Sequence, residues 1–163
     1  MKYYNEIALS YNGLHGEEQI KKAEIILKEL LKKKDKGLLL DIGGGTGIST
    51  EIFLDNFNCI IVDPSEKLLE IGSPKIEKIL ASAEELPFGN EKFDIILSIT
   101  SLHHTELSKA IEEIKRVAKS DALIAISFLK KSEKLKEFRE LFKNNFPNSR
   151  EIEEEKDSIF FNF

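Results

Sequence analysis

The sequence has a single cysteine and no long apolar run, and each of these excludes a class of protein. Its single cysteine, Cys59, cannot form an internal disulfide. Three apolar residues follow Cys59, so we expect a buried, unreactive side chain. No apolar stretch approaches the roughly 18 residues that a membrane span needs. Residues 1–5 contain no apolar signal region, so we expect a cytoplasmic protein with no membrane partner.

The charge and histidine content exclude two further kinds of binding. The net charge is −5, whereas proteins that wrap DNA are basic, so we expect no DNA partner. Two of the 3 histidines are adjacent, at His103 and His104, and no second cluster of cysteine and histidine exists. The sequence therefore predicts no metal site. A length of 163 residues without repeats or low-complexity linkers indicates a single domain.

Glycine is concentrated at one point of the chain. Residues 43, 44, 45 and 47 are glycines that follow a predicted buried strand, Leu38–Ile42, and a helical pattern begins directly after them. Glycine lets the backbone approach a ligand closely, and a helix N-terminus offers free N–H groups. A strand, a glycine loop and a helix in this order are typical of a nucleotide-binding element. In the dinucleotide pattern G-x-G-x-x-G, the third glycine would fall at Ile48, so the loop departs from that pattern.

Helical and strand patterns alternate along the chain, which predicts an α/β fold. We expect a doubly wound, mostly parallel sheet with helices on both faces and one antiparallel strand near the C-terminus. Ser65 is a plausible N-cap of the helix after the second strand. The predicted strands cover residues 38–42, 59–62, 76–80, 93–99 and 122–128, with two more within 151–163; the predicted helices cover about 17–34, 46–56, 65–71, 105–119 and 132–145.

Polar residues follow the first four predicted strands, where open sheets of this kind bind ligands. Asp63 ends the second strand, where an acid can accept hydrogen bonds from ribose hydroxyls. Small residues after the third strand, Ser82 and Ala83, would let the backbone reach the edge of an adenine. His103 follows the fourth strand and is a candidate general base, because the unperturbed pKa of histidine is near neutrality. It could equally pack against a ligand.

These motifs together resemble the class I S-adenosylmethionine-dependent methyltransferases. The resemblance rests on the run Asp41-x-Gly43-x-Gly45-x-Gly47, on Leu86-Pro87-Phe88, and on the histidine-containing loop that ends at His104. It extends to the N-terminal segment Tyr4–Asn12 and is closest to small members similar to ubiquinone-biosynthesis and tRNA methyltransferases. It implies a Rossmann-like fold, with S-adenosyl-L-methionine as cofactor and S-adenosyl-L-homocysteine as product.

The resemblance also implies a role for each matching residue. The glycine loop would hold the methionine part of the cofactor, with the Asp41 carboxylate near its amino group. Asp63 and Pro64 would hold the ribose, and the segment after the third strand the adenine, with Ser82 where the family usually has Asp. Ser98 would lie near the methyl group, and Tyr11 would stack near the cofactor. The implied cofactor-binding residues are Asp41, Gly43, Gly44, Gly45, Gly47, Asp63, Pro64, Ser82, Ala83, Glu84, Ser98 and Tyr11, and the implied catalytic residue is His103.

The expected organisation is one S-adenosylmethionine-binding domain over residues 1–163. Residues 1–36 form an N-terminal lid and helix, residues 37–129 the cofactor-binding core, and residues 130–163 a C-terminal helix and strand pair. The expected function is methyl transfer to an unidentified N, O or C acceptor, which is a small molecule, a protein or RNA. Two alternatives stay open: a non-catalytic cofactor-binding subunit that needs a partner, and a nicotinamide-dependent oxidoreductase, which Ile48 disfavours.

Overall fold

The computed structural model describes residues 11–163, apart from the side chains of residues 11, 12, 14 and 15. Among these residues, no helix is both long and apolar enough to cross a membrane. Short 3-10 helices lie at Thr50–Phe53 and Leu102–His104. The α-helices are α1 (Tyr11–Leu31), α2 (Glu66–Ile71), α3 (Leu107–Val117) and α4 (Leu135–Asn145). The strands are β1 (Leu38–Ile42), β2 (Asn58–Asp63), β3 (Glu77–Leu80), β4 (Phe93–Ile99), β5 (Ala118–Leu129), β6 (Arg150–Glu153) and β7 (Asp157–Phe161).

Within residues 11–163 the strands form one seven-stranded sheet in the order β3-β2-β1-β4-β5-β7-β6. Strands β1 to β5 run parallel, and β7 runs antiparallel to both of its neighbours. The strand order reverses between β1 and β4, so the crevice between their carboxyl ends is the switch point at which such sheets bind ligands. The predicted sheet, mostly parallel with one antiparallel strand, is confirmed.

Both faces of the sheet are covered, which explains why its central strands are apolar almost throughout. Leu40 of β1 packs on one face, in the same buried cluster as Ile111 and Ile114 of α3. Leu39 points to the opposite face, where it belongs to a second cluster with Ile26 of α1. The alternation of neighbouring residues between the two clusters follows from the period of two in a strand. The predicted helices on both faces are therefore confirmed.

Two local predictions from the sequence are also confirmed. The Ser65 side chain accepts a hydrogen bond from the backbone N–H of Leu68, 3.4 Å away, and so caps α2. Cys59 is buried, and burial raises the pKa of its thiol to about 12, so the thiol stays protonated at neutral pH. Strands β1 and β4 have the predicted bounds, whereas α1 begins and ends earlier than predicted and β5 begins at Ala118.

The predicted helix over residues 46–56 is wrong, since regular helix there is limited to the 3-10 turn Thr50–Phe53. Gly47 adopts a left-handed backbone with φ +78°, which an α-helix does not contain, so helical structure cannot begin before it. The Thr50 hydroxyl also donates to Asp41 Oδ2 at 2.6 Å, which ties the start of the turn to β1. The apolar periodicity indicates that Phe53 is buried, but it does not reveal the backbone geometry.

Candidate functional site

An open cleft, with about 770 Å³ of empty space that includes the part open to solvent, lies at the carboxyl ends of β1, β2 and β4 and over the segment that follows β3. Four segments that are distant in sequence form its walls, because parallel strands end at the same edge of the sheet. The residues that line it are Ile42, Gly43, Val62, Asp63, Pro64, Leu68, Ala81, Ser82, Ala83, Glu84, Ile99, Thr100, Ser101, Leu102, His104 and Thr105.

Six of the residues singled out in the sequence line this cleft together: Gly43, Asp63, Pro64, Ser82, Ala83 and Glu84. The other glycines and Asp41 lie in or behind the loop. Ser98 is fully buried and donates a hydrogen bond to the carbonyl of Ile42 at 2.9 Å, so it supports the end of β1. Tyr11 begins α1, but its side chain lies outside the described residues.

The glycine loop is folded tightly against the neighbouring strand ends. Gly43 and Gly45 have φ values of +76° and +55°, a region that favours glycine. A Cβ atom on Gly43 would lie 2.3 Å from the Cβ of Ser101, which is far below any tolerated contact. Gly43 N–H donates to the carbonyl of Val62 at 2.7 Å, which holds the loop beside β2. The close approach leaves room at the loop for a ligand but not for a side chain.

Asp63 joins the glycine loop to the end of β2. Its Oδ2 accepts a hydrogen bond from Gly45 N–H at 3.0 Å, and its Oδ1 accepts one from Ser65 N–H at 2.8 Å. Burial raises the pKa of this carboxyl, and the two backbone hydrogen bonds oppose that rise. Each carboxylate oxygen can accept a second hydrogen bond. Asp63 can therefore hold the loop and still accept from hydroxyl groups of a ligand.

Asp41 is the most perturbed carboxyl beside the loop. It is 1% exposed, and burial, followed by the nearby charge of Asp63, raises its pKa to about 7. Its Oδ2 accepts from the Thr50 hydroxyl, while Oδ1 has no hydrogen-bond partner among the described residues. Gly44 packs against it, since a Cβ there would lie 2.9 Å from Oδ2. A buried acceptor without a partner beside a glycine loop fits a cationic group of a ligand.

The wall that follows β3 is fixed from α3. Arg116 donates to the carbonyls of Phe88 at 2.7 Å and Leu86 at 3.0 Å, and Glu113 accepts from Leu86 N–H at 2.7 Å. Arg116 and Glu113 are themselves paired at 2.6 Å. Glu84 Oε1 accepts from the N–H of Glu106 at the start of α3. Both ends of the segment from Ser82 to Phe88 are thus tied to one helix.

The two histidines after β4 differ in placement, and the cleft is lined by His104 rather than by His103. Their ring centroids lie 3.9 Å apart, and the His103 ring meets the edge of Phe128 at 6.1 Å. Burial, followed by the charge of His104, lowers the pKa of His103 to about 4. Its Nδ1 is buried with no hydrogen-bond partner among the described residues. His103 is thus neutral at pH 7 and a weak base; catalysis by it stays a prediction.

The sequence singled out the loop after β4 as a whole but did not single out Thr100 and Ser101, which line the cleft. Thr100 has a left-handed backbone with φ +52°, and Ser101 donates to the carbonyl of Ile42 at 2.9 Å. A threonine with positive φ is a genuine outlier, because β-branched residues disfavour that conformation. No pattern in the sequence marks such a backbone; the resemblance pointed to the loop that ends at His104 but not to this conformation.

Comparison with known proteins identifies the family. Residues 40–126 match the family described as a methyltransferase domain. The chain is 37% identical to the protein MJ1252 of Methanocaldococcus jannaschii, over 75% of this chain and 48% of that protein. It is 33% identical to the ubiquinone/menaquinone biosynthesis C-methyltransferase UbiE of Vibrio campbellii, over 56% of this chain and 41% of that one. The chain thus spans about half the length of these relatives or less.

Solved structures show the same fold. A crystal structure of a putative S-adenosyl-L-methionine-dependent methyltransferase from Methanococcus maripaludis superposes with a TM-score of 0.77 at 18% identity, over 96% of this chain and 91% of that chain. A putative methyltransferase in complex with the Haloferax volcanii Trm112 methyltransferase activator superposes with a TM-score of 0.70 at 15% identity, over 92% of this chain and 77% of that chain. The glycine loop, the strand order and the matched residues 40–126 confirm the resemblance, and the chain belongs to the methyltransferase domain family of S-adenosylmethionine-dependent enzymes.

Proposed function

We propose that this chain binds S-adenosyl-L-methionine in the cleft and transfers its methyl group to an N, O or C atom of an acceptor. The observation that carries the proposal is the meeting of Gly43, Asp63 and the segment Ser82–Glu84 around one cleft at the switch point of the sheet. These residues come from three strand ends and match the loop, ribose and adenine positions implied by the sequence resemblance. The expected single domain and cytoplasmic location stay predictions.

Different residues of the cleft bind different parts of the cofactor. Asp63 accepts from the ribose hydroxyls with the lone pairs that its two backbone hydrogen bonds leave free. Backbone atoms of Ser82 and Ala83 contact the adenine, with Glu84 at the rim. The glycine loop receives the methionine part, and Asp41 behind it provides a negative charge once its carboxyl ionises, near pH 7. Because Asp41 and Asp63 are both buried, their charges act through little water and favour a cationic ligand.

The chemical step needs alignment more than it needs a catalytic group. When bound, S-adenosyl-L-methionine supplies a methyl group already activated on a sulfonium, so no covalent enzyme intermediate is required. The segment Ile99–Thr105 forms the wall that orients the acceptor for in-line displacement and excludes water from it. A proton lost by the acceptor goes to water or to a histidine of this segment. The sequence resemblance favours His103 as this base, but His104 is the histidine that lines the cleft and can contact an acceptor there.

Ligand binding tests the proposal directly. Thermal unfolding with S-adenosyl-L-methionine, S-adenosyl-L-homocysteine, NAD and NADP in parallel should give a shift of several degrees for the two adenosyl compounds alone, because a ligand at about 100 times its Kd adds ~2.7 kcal/mol. A shift with NAD alone would favour the oxidoreductase alternative. Failure of all four to shift the transition would contradict cofactor binding by the isolated chain.

The Asp63→Ala variant tests the role of this carboxylate. Loss of a charged acceptor should weaken cofactor binding by about 1–3 kcal/mol, roughly 5- to 150-fold in Kd by calorimetry. Asp55→Ala is the matched control, since Asp55 is an exposed acid outside the cleft. Equal affinity of the two variants would remove Asp63 from the site.

The remaining alternative is that this chain binds the cofactor in the same cleft but needs a partner subunit for catalysis. The neighbour in complex with Trm112 is a putative methyltransferase that assembles with an activator. If this chain bound the cofactor but methylated no acceptor until a copurifying protein was added, the partner proposal would be supported. Turnover by the pure chain on any small-molecule, protein or RNA acceptor would rule out the non-catalytic alternative.

A further inference from the structure

A buried ion pair stands directly behind Thr100 on the wall of the cleft. Lys22 of α1 is 4% exposed, Asp157 at the start of β7 is fully buried, and Lys22 Nζ lies 3.3 Å from Asp157 Oδ2. Both groups bind the same hydroxyl: Lys22 Nζ donates to Thr100 Oγ1 at 2.6 Å, and Thr100 Oγ1 donates to Asp157 Oδ2 at 2.6 Å. The side chain of Thr100 is therefore held by two residues that are distant in sequence, one 78 positions before it and one 57 positions after it.

The topology explains how these residues meet. Because β7 runs antiparallel to β5, its first residue lies at the same sheet edge as the carboxyl ends of β4 and β5. Ser127 of β5 binds the backbone of Thr100 as well, since Thr100 N–H lies 2.9 Å from Ser127 Oγ and 3.1 Å from the Ser127 carbonyl. Both the backbone and the side chain of Thr100 are thus fixed.

The conformation that these contacts hold is an unfavourable one. Thr100 has φ +52°, a left-handed value that a β-branched residue adopts only when its surroundings impose it. The next residue, Ser101, lies in contact with the position that a Cβ on Gly43 would occupy. A relaxation of Thr100 to negative φ would redirect Ser101 and the cleft wall after it. We call the contacts of Lys22 and Asp157 with Thr100 the tether. The tether is therefore linked to the shape of the cleft by one backbone torsion, the φ angle of Thr100.

Stability alone gives little reason to bury such a pair. Taking two charges out of water is costly, and replacing a buried pair with apolar residues of similar volume is often neutral or stabilising. Buried pairs that persist can instead specify one conformation among several. Neither Lys22 nor Asp157 is among the described residues that line the cleft, so any effect on a ligand there passes through Thr100.

We propose that Lys22 and Asp157 are positioning residues that lock Thr100 in its left-handed conformation and thereby shape the wall of the cofactor cleft. The proposal rests on the proposed function, because its readout is the binding of S-adenosyl-L-homocysteine. It gives α1 and β7 a role in shaping the cleft, although no described residue of either element lines it.

The decisive experiment removes the tether and then replaces Thr100 with glycine, which can adopt the left-handed conformation without the tether. The double variant Lys22→Met/Asp157→Val removes both charges together, so neither is left unpaired, and should bind S-adenosyl-L-homocysteine at least tenfold more weakly by calorimetry. Adding Thr100→Gly to that double variant should recover most of the lost affinity, because glycine adopts φ +52° without strain. Lys21→Met is the control, since Lys21 neighbours Lys22 on α1 but is 63% exposed.

The affinities of these variants either support or overturn the proposal. Undiminished affinity in the double variant, or a loss that Thr100→Gly fails to recover, would overturn the proposal. If the wild-type chain itself did not bind S-adenosyl-L-homocysteine, the proposed function would fail instead. Should the double variant not fold, Thr100→Val and Thr100→Gly answer the same question. Valine keeps the branched side chain without the tether, so the glycine variant should bind more tightly; equal or reversed affinities would contradict the lock.

Discussion

The raised pKa of Asp41 makes the stability of this protein depend on pH in a predictable direction. An aspartate has an ordinary pKa of 3.8, and burial raises that of Asp41 to about 7, so between these pH values the folded chain holds a proton that the unfolded chain has lost. Stability therefore falls as pH rises through this window. At 1.36 kcal/mol per pH unit, the full loss amounts to about 4 kcal/mol.

The Asp41→Asn variant should abolish this loss. Asparagine keeps an oxygen that can accept from the Thr50 hydroxyl, but it carries no charge at any pH. The variant should be more stable than the wild type at pH 8 by up to about 4 kcal/mol, and its advantage should grow by about 3 kcal/mol between pH 5 and pH 8. In a domain of this size the gain at pH 8 corresponds to roughly 8 to 16 °C in Tm.

Urea unfolding at several pH values, without cofactor, measures both curves. Asp55→Asn is the control, since it makes the same substitution at an exposed acid outside the cleft. Parallel wild-type and Asp41→Asn curves between pH 5 and pH 8 would refute the reasoning, because they would mean that Asp41 is charged in the folded state at no cost.

Three further predictions concern the cleft. Binding of S-adenosyl-L-methionine to the wild type should strengthen from pH 5 to pH 7 as Asp41 ionises and should be nearly independent of this range in Asp41→Asn, which calorimetry at each pH checks. Gly43→Ala should weaken S-adenosyl-L-homocysteine binding more than tenfold, because its Cβ would meet Ser101 at 2.3 Å, whereas Gly89→Ala, whose Cβ meets nothing within 4 Å, should bind normally; equal binding would mean that the loop relaxes freely. Arg116→Met should weaken the same binding by roughly threefold to tenfold, since the segment after β3 loses its hydrogen bonds to α3; an unchanged Kd would show that this segment needs no support.

The fold could be predicted because its signals are local. Strands β1 and β4 are short apolar runs bounded by glycine or polar residues, and the Asp41–Gly47 loop combines a strand end with positive φ values that glycine alone adopts readily. These features depend on neighbours within a few residues. The failed helix at residues 46–56 shows the limit, because apolar periodicity does not reveal that Gly47 is left-handed.

The candidate site could be predicted only in part, since some of its geometry depends on residues far apart in the chain. Gly43, Asp63 and Ser82 to Glu84 follow from the rule that parallel strands end at one edge. Which of two adjacent histidines faces the cleft depends on the 3-10 turn Leu102–His104, which the sequence pattern does not fix. The contacts of Thr100 with Lys22 and Asp157 join three elements, and no local pattern announces them.

Strand β7 is synthesised late, although its antiparallel course brings its first residue to the cleft wall. Among residues 11–163, every residue that lines the cleft has been synthesised by the time Thr105 is added, yet Asp157 comes 57 positions after the Thr100 that it holds. A nascent chain thus carries these cleft-lining residues before it has the strand whose Asp157 holds Thr100. Long-range pairing of this kind forms late, because the loop must close before the contact forms. Competence to bind would then depend on a contact that forms late in folding.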